Sequence, residues 1–136
     1  MLPHSHFQNG LKNLFPKRAL QAVVAVAALV PVTAGILGIF APNRLDLTGS
    51  PQSLTHVAYL SGLLLAIGLG FWSSVPAIEA KGARFSLLAA LVMLGGFARL
   101  VAALRIGIWT IGVTAPLAIE LGLTPALWLW QKQLAR

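Results

Sequence analysis

The chain has 136 residues, 57% of them hydrophobic and 10% charged, with a mean hydropathy of +0.82. A water-soluble domain carries about 25% charged residues, so this composition argues against one, and the length leaves room for a single domain. The formal net charge of +7 is held at the ends of apolar runs rather than in a basic stripe with exposed aromatics, so nucleic acid is not an expected partner, and the absence of cysteine removes disulfides, thiolate metal ligands and CxxC redox chemistry.

Residues 1–18 form a basic segment carrying Lys12, Lys17 and Arg18. It reads either as an arm lying on anionic lipid or as disordered chain. His4 and His6 form an HxH pair without a third ligand, so no metal is expected there. Apolar runs of about 20 residues read as transmembrane helices. The first covers residues 19–41, is marked at its start by Pro16-Lys17-Arg18, and is interrupted only by Gln21 and Thr33. That is longer than the apolar region of a cleaved signal peptide, about 7–15 residues, so it is expected to stay as an anchor. Residues 43–53 make a loop with turn chemistry at Gly49-Ser50-Pro51. A second span is expected over 54–75, a connection over 76–84, a third span over 85–104 and a fourth over 108–130, followed by a tail at 132–136. The link after Leu104 is short enough to make the last two spans an antiparallel hairpin. The expected architecture is all-α: a bundle of four transmembrane helices over residues 19–131.

Charge sets the expected direction. Lys12, Lys17, Arg18, Lys81, Arg84, Lys132 and Arg136 fall on one side, and only Arg44 and Arg105 on the other. The positive-inside rule then puts both termini in the cytoplasm of a cell whose inner membrane the chain crosses. Trp72, Trp128 and Trp130 fall at the cytoplasmic interface and Trp109 at the outer one.

The third span contains Arg99 within the run Gly95-Gly96-Phe97-Ala98-Arg99-Leu100-Val101-Ala102-Ala103-Leu104. Its helical neighbours Gly95, Gly96, Ala102 and Ala103 are small, which marks a packing face and points Arg99 into the bundle. A charge at the centre of a membrane helix costs about 2.5–3.5 kcal/mol on the insertion scale, so a partner is expected. Glu120 is the one acidic residue within a span, and its depth differs from that of Arg99 by roughly 5–8 Å at the helical rise. Two readings of the pair stand. It is a staple that fixes the hairpin, or part of a polar patch for a ligand headgroup, an anion or a proton. His56, Tyr59, Thr114 and Thr124 are the other candidates for such a patch. Pro31, Pro116 and Pro125 each leave a carbonyl without its helical donor, to be met by Arg99, a threonine hydroxyl or water. Gly35, Gly38, Gly62, Gly68 and Gly70 read as packing contacts.

The runs SLTHVAYLSGLLLAIGLGFW, VPAIEAKGARFSLLAALVMLGGFARL and LAIELGLTPALWLWQ resemble a family of small bacterial four-helix membrane proteins, catalogued as domain of unknown function 4345. The resemblance extends from about Ala19 to Gln131. It is carried by Tyr59-Leu60-Ser61-Gly62, by Gly95 through Arg99, and by Glu120-Leu121 before Pro125. It implies the four-helix fold and weight on Arg99 and Glu120, and it implies no chemistry. Members often carry an arginine before the tyrosine, where this chain has Ala58. The helix count is also shared with DoxX-like proteins, an analogy of fold alone.

No phosphate loop, metal-ligand cluster or nucleophile–base pair is legible, so neither an enzyme nor a cofactor is expected. Two function classes follow. One is a structural or accessory subunit that oligomerises or docks on a membrane complex. The other is a small-molecule, lipid or proton-linked binder or transporter built on Arg99, Glu120, His56, Tyr59 and Thr124.

Overall fold

The structure, a computed structural model, describes residues 4–45 and 49–136, with side chains described for 16–45 and 49–136. Regular structure among these residues is helical throughout: α1 (His4–Ala27), α2 (Leu29–Phe40), α3 (Pro51–Ser74), α4 (Gly82–Ile106), α5 (Ile111–Ala118) and α6 (Thr124–Leu134). Short 3-10 turns follow α2 and α3, and a π turn over Ile119–Leu123 joins α5 to α6. Four stretches are long and apolar enough to cross a membrane: Pro16–Phe40, Pro51–Ala77, Gly82–Ile106 and Ile111–Leu134.

The first helix does not start at Pro16. That residue lies inside α1, which runs back to His4. The break between α1 and α2 falls at Ala28. Pro31 has no N–H for the carbonyl of Ala27, and its ring crowds that carbonyl. Bonds on either side, from Ala28 N–H to Val24 (2.9 Å) and from Val32 N–H to Ala28 (3.2 Å), keep the stretch helical through the break. At the other end of the loop, Gly49 takes a φ of +64° that a side chain would resist. Ser50 then caps α3, its hydroxyl accepting from the Ser53 N–H at 3.2 Å, and Pro51 occupies the first turn where no donor is needed.

The chain forms two compact units, one of Gln21–Pro76 and one combining the chain up to Leu20 with Ala77–Arg136. In the first, α2 and α3 are antiparallel and their backbones nearly touch. A Cβ built on Gly35 would lie 2.8 Å from the Ser61 carbonyl oxygen and 2.7 Å from the Leu65 Cβ. One on Gly38 would collide with the Ser61 hydroxyl, and one on Gly68 would lie 2.7 Å from Val32. Missing side chains thus give the close approach on which apolar helices depend for dispersion contacts. Gly62 differs: nothing lies near its Cβ direction, so it is not one of these contacts. Two side-chain bonds tie the far end of the unit, from Gln21 to the Val75 carbonyl (2.7 Å) and from the Trp72 indole to that of Ala25 (2.9 Å).

In the second unit α4 turns back on α5 and α6 through Gly107, whose φ of +74° and N–H bond to the Ala103 carbonyl (2.8 Å) close the helix with a left-handed cap. Ala89, Gly96 and Ala103 are buried at every seventh position of α4, and Leu117, Thr124 and Gln131 are buried at the same interval on the returning strand of the hairpin. That is the repeat of a coiled-coil seam. Phe85 and Ile78 complete the core at the end remote from Gly107.

Candidate functional site

Within the hairpin unit, Arg99 of α4 meets Glu120 of the π turn side-on. Nε donates to Oε2 and Nη2 to Oε1, both at 3.0 Å. The paired geometry matches the guanidinium fork to the two carboxylate oxygens, so each oxygen has a charge-assisted bond. Glu120 is the deeper partner, with 17% of its side chain exposed against 42% for Arg99. The arginine therefore turns toward the neighbouring helix but is not enclosed by it, and Nη1 has no acceptor among the described residues.

Two local features put the carboxylate there. On α4, Gly96 stands one turn before Arg99, and a Cβ on it would lie 2.6 Å from that of Glu120. Only hydrogen at this position lets the π turn come within reach. On the other strand, Pro125 has no N–H for the Leu121 carbonyl and would clash with it in a regular α-helix. The chain widens by one residue instead: the Thr124 N–H passes to Ile119, and the Thr124 hydroxyl bonds the same carbonyl at 2.9 Å. Such π turns are rare and frequently occur at functional sites.

Part of the expected packing face does not pack. Gly96 and Ala103 are buried, whereas Gly95 and Ala102 are exposed, because the seam follows the seven-residue interval and leaves them on the flank. Threonine hydroxyls do not serve the carbonyls freed by proline. Thr33 bonds Leu29 and Val30, Thr114 bonds Thr110, and Thr124 bonds Ile119, each the carbonyl that its own helical turn brings nearest.

His56 and Tyr59 belong to the other unit. Both are exposed on the first turns of α3, where they line a shallow open depression with Ser50, Gln52, Ser53 and Thr55. The side chains of His4, His6 and Lys12 lie outside the described residues. Among the described residues no three His, Cys, Asp or Glu side chains converge as metal ligands would.

A polar network at the end of the hairpin unit remote from Gly107 was not legible in the sequence. Lys17 of α1 donates to Glu79, in the connection between α3 and α4. That bond, with a further one from the backbone, holds the Glu79 carboxyl below the ordinary carboxylate range against an opposing desolvation. Gln131 is 1% exposed and donates to the Ile78 carbonyl at 2.9 Å. The Trp128 indole donates to Ser86 at 2.9 Å, and the Lys132 ammonium sits 4.2 Å above the Trp128 ring. The one signal available was Gly82, which leaves room for Gln131: a Cβ there would lie 3.2 Å from its amide nitrogen.

An all-helical chain with four bilayer-length apolar helices and an arginine–carboxylate pair inside a hairpin is thereby defined. The sequence profile of the domain of unknown function 4345 matches residues 19–131, most of the chain, and the protein belongs to that family. No curated protein and no solved structure matches it.

Proposed function

We propose that this protein is a multi-pass plasma-membrane protein with a structural or accessory role, packing side by side with a second copy or with a larger membrane complex, and with both termini in the cytoplasm. The observation that carries this reading is the outer edge of Arg99. Arg99 is 42% exposed with only Nε and Nη2 bonded to Glu120, and Gly95, Ala98 and Ala102 on the same helix are exposed as well. In hydrocarbon an unsatisfied N–H is costly, and small residues let another backbone come close enough to offer an acceptor. The remaining surface fits a role of contact: between 17% and 28% of the most apolar stretch of each span is buried within the chain.

The depression around His56 and Tyr59, with its hydroxyl and amide walls, favours a second reading as a binder of small polar molecules or lipid headgroups. Native mass spectrometry after gentle extraction separates the two. The accessory reading expects a stoichiometric protein partner, or a dimer, that is lost in Gly95→Leu while the monomer keeps its thermal stability. A retained small molecule with no partner protein, lost in His56→Ala, would replace it with the binder.

A further inference from the structure

The end of the hairpin unit that holds Gln131 is strongly basic. Lys17, Arg18, Lys81, Arg84, Lys132 and Arg136 stand there against one carboxylate, Glu79, whereas the Gly107 end carries only Arg105 among the described residues. These cations are not scattered along loose chain. Buried Gln131 pins the end of α6 to the Ile78 carbonyl and against Gly82, the first residue of α4. Trp128 is tied to Ser86, two residues beyond Arg84, and Lys132 lies over its ring. The start of α4, with Lys81 and Arg84, is thus held beside the end of α6, with Lys132.

Depth matters as much as charge. Lys81 precedes the apolar stretch Gly82–Ile106, Arg84 is in its first turn, and Lys132 is in the last turn of Ile111–Leu134. In a bilayer this is the level of the headgroups, and Trp128, one turn further in, falls at the interfacial level that indoles favour. Basic side chains at that depth attract anionic headgroups, and the attraction fades within a Debye length.

We infer that this end of the hairpin is a binding surface for the phosphate of an anionic phospholipid, with Lys81, Arg84 and Lys132 as its core. It is independent of any protein partner and of the pairing of Arg99.

The test places the purified protein in nanodiscs of phosphatidylglycerol and phosphatidylcholine in equal parts and reads the lipids that remain bound on release into the mass spectrometer. The expected result is enrichment of phosphatidylglycerol by roughly ten-fold, weakening as salt is raised. Lys81→Gln/Arg84→Gln/Lys132→Gln should abolish it, and Arg105→Gln, at the opposite end, should leave it intact. The charge-keeping set Lys81→Arg/Arg84→Lys/Lys132→Arg should retain it, which separates loss of charge from loss of fold. Equal retention of both lipids by the unaltered protein would overturn the inference. So would equal enrichment in the triple glutamine variant and in Arg105→Gln, displacement by inorganic phosphate at matched concentration, or an acidic protein held there with phosphatidylglycerol excluded.

Discussion

At Gly96 and Gly95, adjacent residues of the same type meet opposite surroundings. A methyl group on Gly96 would press on Glu120 and Leu121, whereas one on Gly95 would meet nothing within 4 Å. Gly96→Ala is expected to destabilise the protein by about 1–3 kcal/mol, the usual penalty for overpacking, and to weaken the ion pair. Gly95→Ala should be neutral, or should raise the melting temperature through helix propensity. Equal melting shifts for the two variants would contradict the packing described. The ion pair has its own test in a double-mutant cycle. Removing one partner of a fully buried pair costs about 3–5 kcal/mol, and less is expected here because Arg99 is 42% exposed. Arg99→Leu and Glu120→Leu should each lower stability in detergent, and the double change should recover much of the loss. Additive losses would mean that the two side chains do not depend on one another.

The π turn between α5 and α6 is a property of the element rather than of Glu120. Pro125→Ala would restore the missing N–H and allow a regular α-helical bond to Leu121. Glu120 should then rotate away from Arg99, and the coupling measured by the double-mutant cycle should shrink in this background. An unchanged coupling would show that Gly96 and the seam hold the turn without the proline. In the connection between α3 and α4, Glu79 predicts a pH dependence. Its carboxyl is depressed in the folded chain, first by the bond from Lys17, so its contribution is present above the ordinary value of about 4.3 and is lost as pH falls through the lower folded value. Both side chains are about a third exposed, so the contribution is at most about 1 kcal/mol and weakens with salt. Melting curves in acid should fall less steeply for Glu79→Gln than for the unaltered protein. Parallel curves would remove Glu79 from the acid response.

For the whole molecule, the proposed orientation puts the basic end of the hairpin unit in the cytoplasm. The chain has no cysteine, so single introduced thiols report on sides directly. Thr110→Cys, near the Gly107 turn, should react with an impermeant maleimide in intact cells, and Gln133→Cys, past the basic end, only after lysis. The reverse pattern would invert the topology. A bilayer that accepts this chain in one direction also sets which leaflet meets Lys81, Arg84 and Lys132.

Span number, apolarity and the turn at Gly49-Ser50-Pro51 were legible in the chain itself, because hydropathy and turn chemistry are local and a run of about 20 apolar residues has few other uses. The start of α3 at Pro51 under a Ser50 cap was not, the span being expected from residue 54. The family was legible, through the Tyr59 and Arg99 segments. Arg99 and Glu120 stood out for a related reason: a charge inside an apolar run has few candidate partners. Which of two adjacent glycines faces the seam was not legible, since Gly95 and Gly96 differ by 100° around the helix and the choice depends on what the opposite strand presents. Nor was the network of Lys17, Glu79, Gln131 and Trp128, whose members lie as much as 114 residues apart. Composition and periodicity determine that helices form and how long they are. Only the register of one helix against another decides which small residue is filled, which carboxylate is reached and which end gathers the cations, because contacts at that range are set by shape and not by sequence neighbours.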